Sequence, residues 1–345
     1  MGFSSQLIIA DYSNDRKNSS FTLGVSTLIV FTCIFGIFGF YGSNSTFGVI
    51  FNLGSGISLI TVSLLNGKLR FKEAFWFWLV LFFIQLLGLS LMYFLNSDDI
   101  SVINSFAILY LVTAVLFLIA YEGKSIILKY SKFINTKQII SDALKLGLFG
   151  SLFMIGYNLL FKVMAGTDAE KAIFSLGYQL FSLVIFLPSI LGSYIVPLMS
   201  SGNGLNKFGK MKKAVILQLC YGLVAVIIIA FILIFFKQIL ELYKISYEEH
   251  LFAILFFILL AGFICSCSTG IVHLNNSLKR FKVLTYGSFT WIGAMCLCLI
   301  LKYFLTGYFQ LTVQESAIVF AFSYMFYFLF FIIDFYKYCK NEFHR

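Results

Sequence analysis

The chain has 345 residues, of which 60% are hydrophobic and only 12% are charged. This composition excludes a water-soluble globular fold, whose apolar share is roughly half, and indicates an integral membrane protein. The formal net charge of +10 falls in short loops between apolar runs. Membrane orientation and anionic lipid headgroups account for it there, so no nucleic acid partner is expected.

Ten apolar runs follow one another along the chain, each close to the roughly 20 residues that a helix needs to cross a bilayer core. They cover 21–41, 46–65, 74–95, 101–121, 144–164, 172–198, 214–236, 251–272, 283–301 and 316–333. The two terminal segments and alternate gaps between the runs together carry 19 of the 25 Lys and Arg residues. The positive-inside rule therefore places these gaps, and both termini of a multi-pass protein, in the cytoplasm.

The seven cysteines lie in the apolar runs or on the predicted cytoplasmic side, where disulfides are not expected. Cys265 and Cys267 have one residue between them, as do Cys296 and Cys298. This is a poor spacing for zinc ligands on one helix. We interpret these cysteines as small apolar packing residues and expect neither a metal nor any other cofactor.

Two basic loops share a short motif. Residues 66–72 (NGKLRFK) follow the second run, residues 276–282 (NSLKRFK) follow the eighth, and both end in Arg-Phe-Lys. Four runs surround each loop in the same order, so we interpret them as parallel repeats related by an axis along the membrane normal. The alternative is that one short basic loop resembles another by chance.

This pattern predicts an all-α integral membrane protein of about ten transmembrane helices, in two unequal parallel repeats around a central cleft. Residues 1–124 form the first helical repeat of four spans, 125–143 a cytoplasmic linker, and 144–345 the second repeat of six spans. Residues 1–10 resemble the end of a span that enters a cytoplasmic loop. The first two spans of a six-span unit are therefore expected to be absent.

Residues of the fifth and sixth runs carry a resemblance to a known family. They are 146–158 (LGLFGSLFMIGYN), Lys162, Asp168, 175–178 (SLGY), 186–188 (FLP) and 194–200 (YIVPLMS). This stretch resembles the polysaccharide (O-antigen-type) flippases of the multidrug/oligosaccharidyl-lipid/polysaccharide exporter superfamily. The chain departs from that family by lacking the first two spans, and by keeping only the cation, Lys162, of an aspartate–cation pair near the outer end of the fifth span.

The resemblance implies a flippase of the bacterial cytoplasmic (inner) membrane. It would translocate a polyprenyl-diphosphate-linked oligosaccharide, an O-antigen or capsule repeat unit, by alternating access and without enzymatic chemistry. The implied partners are this lipid-linked oligosaccharide, membrane lipids, and a glycan polymerase or glycosyltransferases. The alternatives are an integral-membrane enzyme of polysaccharide assembly (a polymerase or an acyltransferase) and a truncated remnant that does not transport.

Lys162 is the predicted cation for the substrate diphosphate, and Asn158 lies one helical turn earlier on the same face. A lysine in a span should face a cavity or extend to the membrane surface. The alternative is that Lys162 extends to the outer interface and pairs with Asp168 or Glu170.

Gln179, Tyr178 and Lys145 complete the predicted substrate site. The Gln179 amide would bind sugar hydroxyls, or else bond between helices. The Tyr178 ring would stack on sugar, as would Tyr157, or else anchor the helix at the interface. Lys145 would be a second cation for the substrate, or else part of the cytoplasmic charge signal.

Pro188 is the predicted hinge, because a proline removes one backbone hydrogen bond from its helix. The alternative is that it only bends the helix around its neighbours.

No Asp or Glu lies inside an apolar run; Asp142, Glu315 and Asp334 sit at the ends. Cation-coupled transporters usually need a carboxylate in the membrane, which disfavours a cation-drug antiporter. His273 is the sole candidate for an acyltransferase base, and we interpret it as a loop histidine.

Overall fold

The computed structural model describes residues 45–94, 99–129, 136–200, 207–242 and 249–343. Helices make up nearly all of this part of the chain. In order they are α1 (Ser45–Gly67), α2 (Phe71–Phe94), α3 (Asp99–Lys129), α4 (Thr136–Val163), α5 (Asp168–Ser200), α6 (Lys207–Ile234), α7 (Phe236–Leu242), α8 (Glu249–Ser277), α9 (Phe281–Thr306) and α10 (Val313–Phe343). Two short strands, β1 (Met164–Ala165) and β2 (Leu311–Thr312), precede α5 and α10.

Seven of these helices are long and apolar enough to cross a membrane: α2, α4, α5, α6, α8, α9 and α10. Shorter apolar stretches, Leu53–Asn66 and Ser105–Tyr121, lie in α1 and α3. Nine of the ten predicted runs therefore coincide with helices, and the run 21–41 lies outside the described residues. The predicted class, an all-α integral membrane protein, is confirmed.

Packing divides the chain into two compact units, which are unit 1 (Met1–Gly147 with Val196–Gly202) and unit 2 (Leu148–Ile195 with Asn203–Arg345). Helix α3 reaches Lys129 and α4 begins at Thr136. Helical structure thus enters the predicted linker 125–143 from both ends. The division into repeats at 124 and 144 stays a prediction.

In unit 1, α1 packs closely against α3. A Cβ at Gly54 would lie 2.7 Å from Tyr110 Cδ1 and 3.0 Å from the Leu111 amide nitrogen. The two backbones can approach this closely only because residue 54 is a glycine. Ser58 is buried on the same helix and donates to the Gly54 carbonyl oxygen at 2.9 Å, so its hydroxyl proton is satisfied within α1.

In unit 2, α8 packs against both α6 and α10, and α9 packs against α10. A Cβ at Gly270 of α8 would lie 2.5 Å from the Ala214 carbonyl oxygen of α6, so these backbones also meet at a glycine. Aromatic side chains of α4, α5, α9 and α10 fill the core around Trp291, which is fully buried. Many of their rings meet edge to face, the arrangement that aromatic quadrupoles favour. These residues include Phe153, Phe181, Trp291, Phe320 and Tyr324.

Helix α1 ends at the first basic loop in a Schellman motif. The Leu69 amide donates to the Asn66 carbonyl oxygen at 3.0 Å, and the Arg70 amide donates to the Leu65 carbonyl oxygen at 2.8 Å. Leu69 has φ 59°, the left-handed conformation that glycine usually supplies in this motif. The turn returns the chain into α2.

The second basic loop, between α8 and α9, repeats this turn. The Lys279 amide donates to the Asn276 carbonyl oxygen at 3.1 Å, and the Arg280 amide donates to the Asn275 carbonyl oxygen at 2.8 Å. Lys279 has φ 56°. Basic composition alone does not dictate the same hydrogen bonds and the same position of positive φ, so the backbone supports the interpretation of these loops as repeats.

The strands β1 and β2 pair in parallel, and each leads into a helix with the same N-terminal cap. The Thr167 amide donates to Glu170 Oε2 at 2.8 Å, and the Glu170 amide donates to Thr167 Oγ1 at 3.3 Å. Thr312 and Glu315 form the equivalent bonds at 2.9 and 3.2 Å. These are capping boxes, which satisfy the first amides of α5 and α10. Lys302 adds an ion pair to Glu315 at 2.6 Å.

Candidate functional site

One face of α4 in unit 2 carries polar side chains on the protein surface. Ser151, Asn158 and Lys162 are all exposed. Their spacing of seven and four residues places them within about 40° of one another around the helix. Asn158 Nδ2 donates to the Met154 carbonyl oxygen at 2.9 Å, a bond that uses the amide donor and not the Oδ1 acceptor.

Helix α5 presents a second polar face, on which polar residues follow one another at spacings of four, three and seven positions, with the exposed Phe186 between the last two. Its members are Ser175, Gln179, Ser182 and Ser189. Ser182 Oγ donates to the Tyr178 carbonyl oxygen at 2.9 Å, so the hydroxyl proton is satisfied within the helix and the oxygen can still accept. Our sequence analysis found only Gln179 on this face, although the serine spacing was already a helical pattern.

Two tyrosines join the polar faces of α4 and α5. The rings of Tyr157 and Tyr178 have centroids 4.0 Å apart at an interplanar angle of 30°. Both rings are half-buried, and each precedes a polar residue of its face, Asn158 or Gln179. The two faces therefore lie side by side as one surface, which we call the α4–α5 polar face.

The other outward faces of unit 2 are apolar. On α6, α9 and α10 the exposed side chains include Leu219, Leu223, Ile227, Leu297, Leu301, Phe322 and Leu329. Such faces suit contact with lipid. An ammonium group such as that of Lys162 in hydrocarbon would lose its water without gaining a partner, which costs about 2–4 kcal/mol. The α4–α5 polar face therefore suits contact with water rather than lipid.

Lys162 stands at the end of this face with no ion-pair partner among the described residues. Glu170, one of its predicted alternative partners, instead accepts hydrogen bonds from the Thr167 amide and hydroxyl at 2.8 and 2.9 Å. Four described carboxylates are paired with other cations, in the ion pairs Arg70–Glu73, Lys145–Asp142, Arg280–Asp334 and Lys302–Glu315. The Lys162 ammonium group is thus available to an anion.

Lys145 lies in unit 1, where its Nζ is 2.6 Å from Asp142 Oδ1. This ion pair favours its alternative role as part of the cytoplasmic charge signal. Its place in the substrate site, like the roles of Lys162, Asn158, Gln179 and Tyr178, stays a prediction.

The interpretation of His273 as a loop residue is wrong. His273 lies inside α8 and is only 7% exposed. Its Nε2 is 3.2 Å from the carbonyl oxygen of Pro188 in α5. The sequence could not reveal this contact, because 85 residues separate the two partners. Pro188 is itself buried and helix continues on both sides of it, so its role as a hinge stays a prediction.

No protein-family model and no curated protein matches this sequence. Solved structures do match it. A multidrug resistance MATE family transporter of the MOP superfamily, in the outward-facing conformation, superposes with a TM-score of 0.74 at 13% identity. The match covers 99% of this chain and 83% of that chain.

Two further structures match in the same way. The Vibrio cholerae MATE transporter VcmN in its bent form gives a TM-score of 0.70 at 13% identity, over 99% of this chain and 84% of that one. A MATE protein in the straight conformation gives 0.67 at 15% identity, over 97% and 81%. At this identity the likeness establishes the fold alone: this protein has the all-helical membrane fold of the MATE transporters.

Proposed function

We propose that this protein transports a polyprenyl-diphosphate-linked oligosaccharide, an O-antigen or capsule repeat unit, across the bacterial cytoplasmic membrane by alternating access. Both termini would lie in the cytoplasm. The observation that carries the proposal is the α4–α5 polar face. This face carries hydroxyls, amides, two tyrosine rings and the ammonium group of Lys162, which has no ion pair among the described residues. The other outward faces of unit 2 are apolar.

The chemistry of this face fits both parts of such a substrate head. Sugars bind to hydroxyl and amide groups and stack on aromatic rings, which Ser182, Gln179 and the Tyr157–Tyr178 pair can supply. A diphosphate needs a positive charge, which Lys162 can supply as a charge-assisted hydrogen-bond donor. The prenyl tail requires nothing polar and can stay in lipid.

The balance of charge separates this proposal from export of cationic drugs. One of the structural matches is a multidrug resistance transporter, and a carrier of organic cations would need an anionic site. The stretch of the α4–α5 polar face from residue 175 to residue 189 carries no carboxylate. The Asp168 carboxylate lies seven residues before Ser175 on the same side of α5, near the end of the face that carries Lys162. The carboxylates paired with Arg70, Lys145, Arg280 and Lys302 are already neutralised, so none of these is available to a cationic drug.

The enzyme alternatives receive no support from His273. A general base must reach the proton that it abstracts, whereas the imidazole of His273 is buried between α5, α6 and α8. A glycan polymerase and glycosyltransferases remain proposed partners of the transporter, together with membrane lipids.

Complementation with matched lysine variants tests the proposal. The chain is expressed in cells that accumulate cytoplasm-facing lipid-linked glycan because they lack their own flippase, and surface polysaccharide is measured. We expect the unaltered chain to restore it. We expect Lys162→Ala to lower export by about tenfold or more, the value of a charge-assisted hydrogen bond of about 1.5 kcal/mol or above, and Lys162→Arg to keep most of it.

The matched control is Lys237→Ala, which removes an exposed cation from α7, outside the polar face. We expect export to be unchanged. Normal export by Lys162→Ala would remove Lys162 from the site, and equal losses in both alanine variants would indicate a general effect of charge. Failure of the unaltered chain to restore export, at normal membrane levels, would favour the enzyme or remnant alternatives. Resistance to cationic drugs instead would favour drug export.

A further inference from the structure

Helix α5 and helix α8 run side by side through unit 2, and their contacts follow one line along α5. A Cβ at Gly177 would lie 2.6 Å from Ile258 Cδ1 of α8. Further along, a Cβ at Gly262 of α8 would lie 3.3 Å from Val184 of α5. These contacts are apolar, and they can slide or separate without leaving a polar group unsatisfied.

The contact at Pro188 is different, because it is polar and directional. The Pro188 carbonyl oxygen can only accept a hydrogen bond, so His273 Nε2, 3.2 Å away, is the protonated nitrogen that donates. The bond is buried. Breaking it would leave an imidazole N–H without a partner in the protein interior, which is unfavourable.

Gly192 provides the space for this imidazole. It lies one helical turn after Pro188, on the same side of α5. A Cβ there would lie 2.2 Å from His273 Cε1 and 2.7 Å from Nε2, closer than any real contact. Tyr221 of α6 closes the other side, with its ring edge-on to the imidazole at 5.8 Å and 85°. The histidine is therefore held in a fitted notch, and α5 is held against it.

The notch lies next to the part of α5 that Pro188 weakens. Pro188 has no amide proton, so the Val184 carbonyl lacks its usual partner and α5 is weakest over the preceding turn. Beyond it, residues 196–200 of α5 belong to unit 1, whereas α5 up to Ile195 belongs to unit 2. The bond to His273 thus fixes α5 between its weakest turn and the point where it leaves unit 2.

We propose that His273 is a positioning residue that controls bending of α5 at Pro188. While the bond to the Pro188 carbonyl is intact, α5 stays fixed to α8; when it breaks, α5 bends at the turn 184–188. The connection between this bending and export rests on the function proposed above. The bond itself can be tested without any substrate.

The test is hydrogen–deuterium exchange of the full chain in lipid nanodiscs, followed by mass spectrometry of α5 peptides. His273→Met keeps the approximate size of the side chain and removes the donor. We expect amides of 184–195 to exchange about fivefold faster in this variant, the ratio that corresponds to one hydrogen bond of ~1 kcal/mol at room temperature. His273→Gln places an amide donor at a similar reach, and we expect exchange within about twofold of the unaltered chain.

Two further variants sharpen the comparison. Gly192→Ala puts a methyl group where the imidazole lies, and we expect it to act like His273→Met. Tyr221→Phe keeps the ring that contacts the imidazole and removes a buried hydroxyl that has no hydrogen-bond partner among the described residues, so we expect no acceleration in α5. Unchanged α5 exchange in His273→Met would overturn the proposal. Acceleration spread equally over α6, α9 and α10 would also overturn it, because it would indicate general loss of packing.

A transport measurement completes the test. We expect His273→Met to alter the export rate at normal protein level, and His273→Gln to restore it. Faster α5 exchange with an unaltered export rate would overturn the role of His273 in transport. If the unaltered chain exports no glycan, the proposed function fails, whereas the exchange data still decide whether His273 fixes α5.

Discussion

Single glycines determine how closely side chains of unit 2 can pack. On α4, a Cβ at Gly156 would lie 2.2 Å from Cζ3 of the buried Trp291, whereas a Cβ at Gly150 would have no atom within 4 Å. The two glycines lie six residues apart on one helix. The two positions therefore differ in the space around them, whereas the intrinsic helix propensity of the residue is the same at both.

This difference predicts opposite effects of the same substitution. Gly156→Ala should lower stability by about 1–3 kcal/mol, because Trp291 must move within a filled aromatic core. Gly150→Ala should raise it by about 0.5–1 kcal/mol, because alanine favours the helix and the site is open. The measurement is the unfolding free energy of the purified variants in detergent. Equal effects of the two substitutions would contradict the packing around Trp291.

Residue-level chemistry was only partly predictable from the sequence. Lys162 and Asn158 could be assigned to one face because helical spacing is regular. The engagement of Glu170 in a capping box was missed, although Thr167 and Glu170 have the spacing of that motif directly before an apolar run. The environment of His273 depends on packing between α5, α6 and α8, which no local pattern reports.

At the scale of elements, the two basic turns contain a feature that local propensity opposes. Leu69 and Lys279 adopt positive φ, a conformation that costs a residue with a side chain about 1–2 kcal/mol relative to glycine. The identical hydrogen bonds around both residues hold the backbone there. The same turn geometry therefore occurs twice in the described residues, and the sequence motif alone did not predict it.

Glycine substitution tests these turns. Leu69→Gly and Lys279→Gly should each raise stability by about 0.5–1 kcal/mol, because glycine adopts positive φ without strain. The gain is smaller than the strain itself, because glycine also raises the conformational entropy of the unfolded chain. The control is Gly307, which already has φ 75° at the end of α9. Gly307→Ala should lower stability by about 1 kcal/mol. Thermal unfolding in detergent measures all three; a loss of stability in both glycine variants would contradict the turn geometry.

Element positions were predictable to a larger extent than element ends. Nine predicted runs coincide with helices because a span must be apolar over about 20 residues. The ends differ because helices continue beyond the membrane core, where polar residues are tolerated: α3 extends to Lys129 and α4 begins at Thr136. The short helix α7 lies in a gap that hydropathy assigned to a loop.

At the scale of the whole molecule, the composition and charge pattern correctly predicted an all-helical membrane protein, and its fold is that of MATE transporters. Fold does not determine cargo, since one fold can carry different sites. The cargo must be argued from the α4–α5 polar face. The central claim is therefore that this face contacts water along a transport route, while α6 contacts lipid.

The most direct test is the reaction of introduced cysteines with a membrane-impermeant thiol reagent in membrane vesicles, resolved by site with mass spectrometry. The polar-face variants are Ser151→Cys, Asn158→Cys, Gln179→Cys and Ser182→Cys. The controls are Leu219→Cys and Leu223→Cys on α6, at positions that are 70% and 66% exposed, and the native Cys220 beside them, which is also exposed. The account predicts reaction at the polar-face positions and little at the α6 positions. Equal labelling of both faces, or none at the polar face, would contradict it.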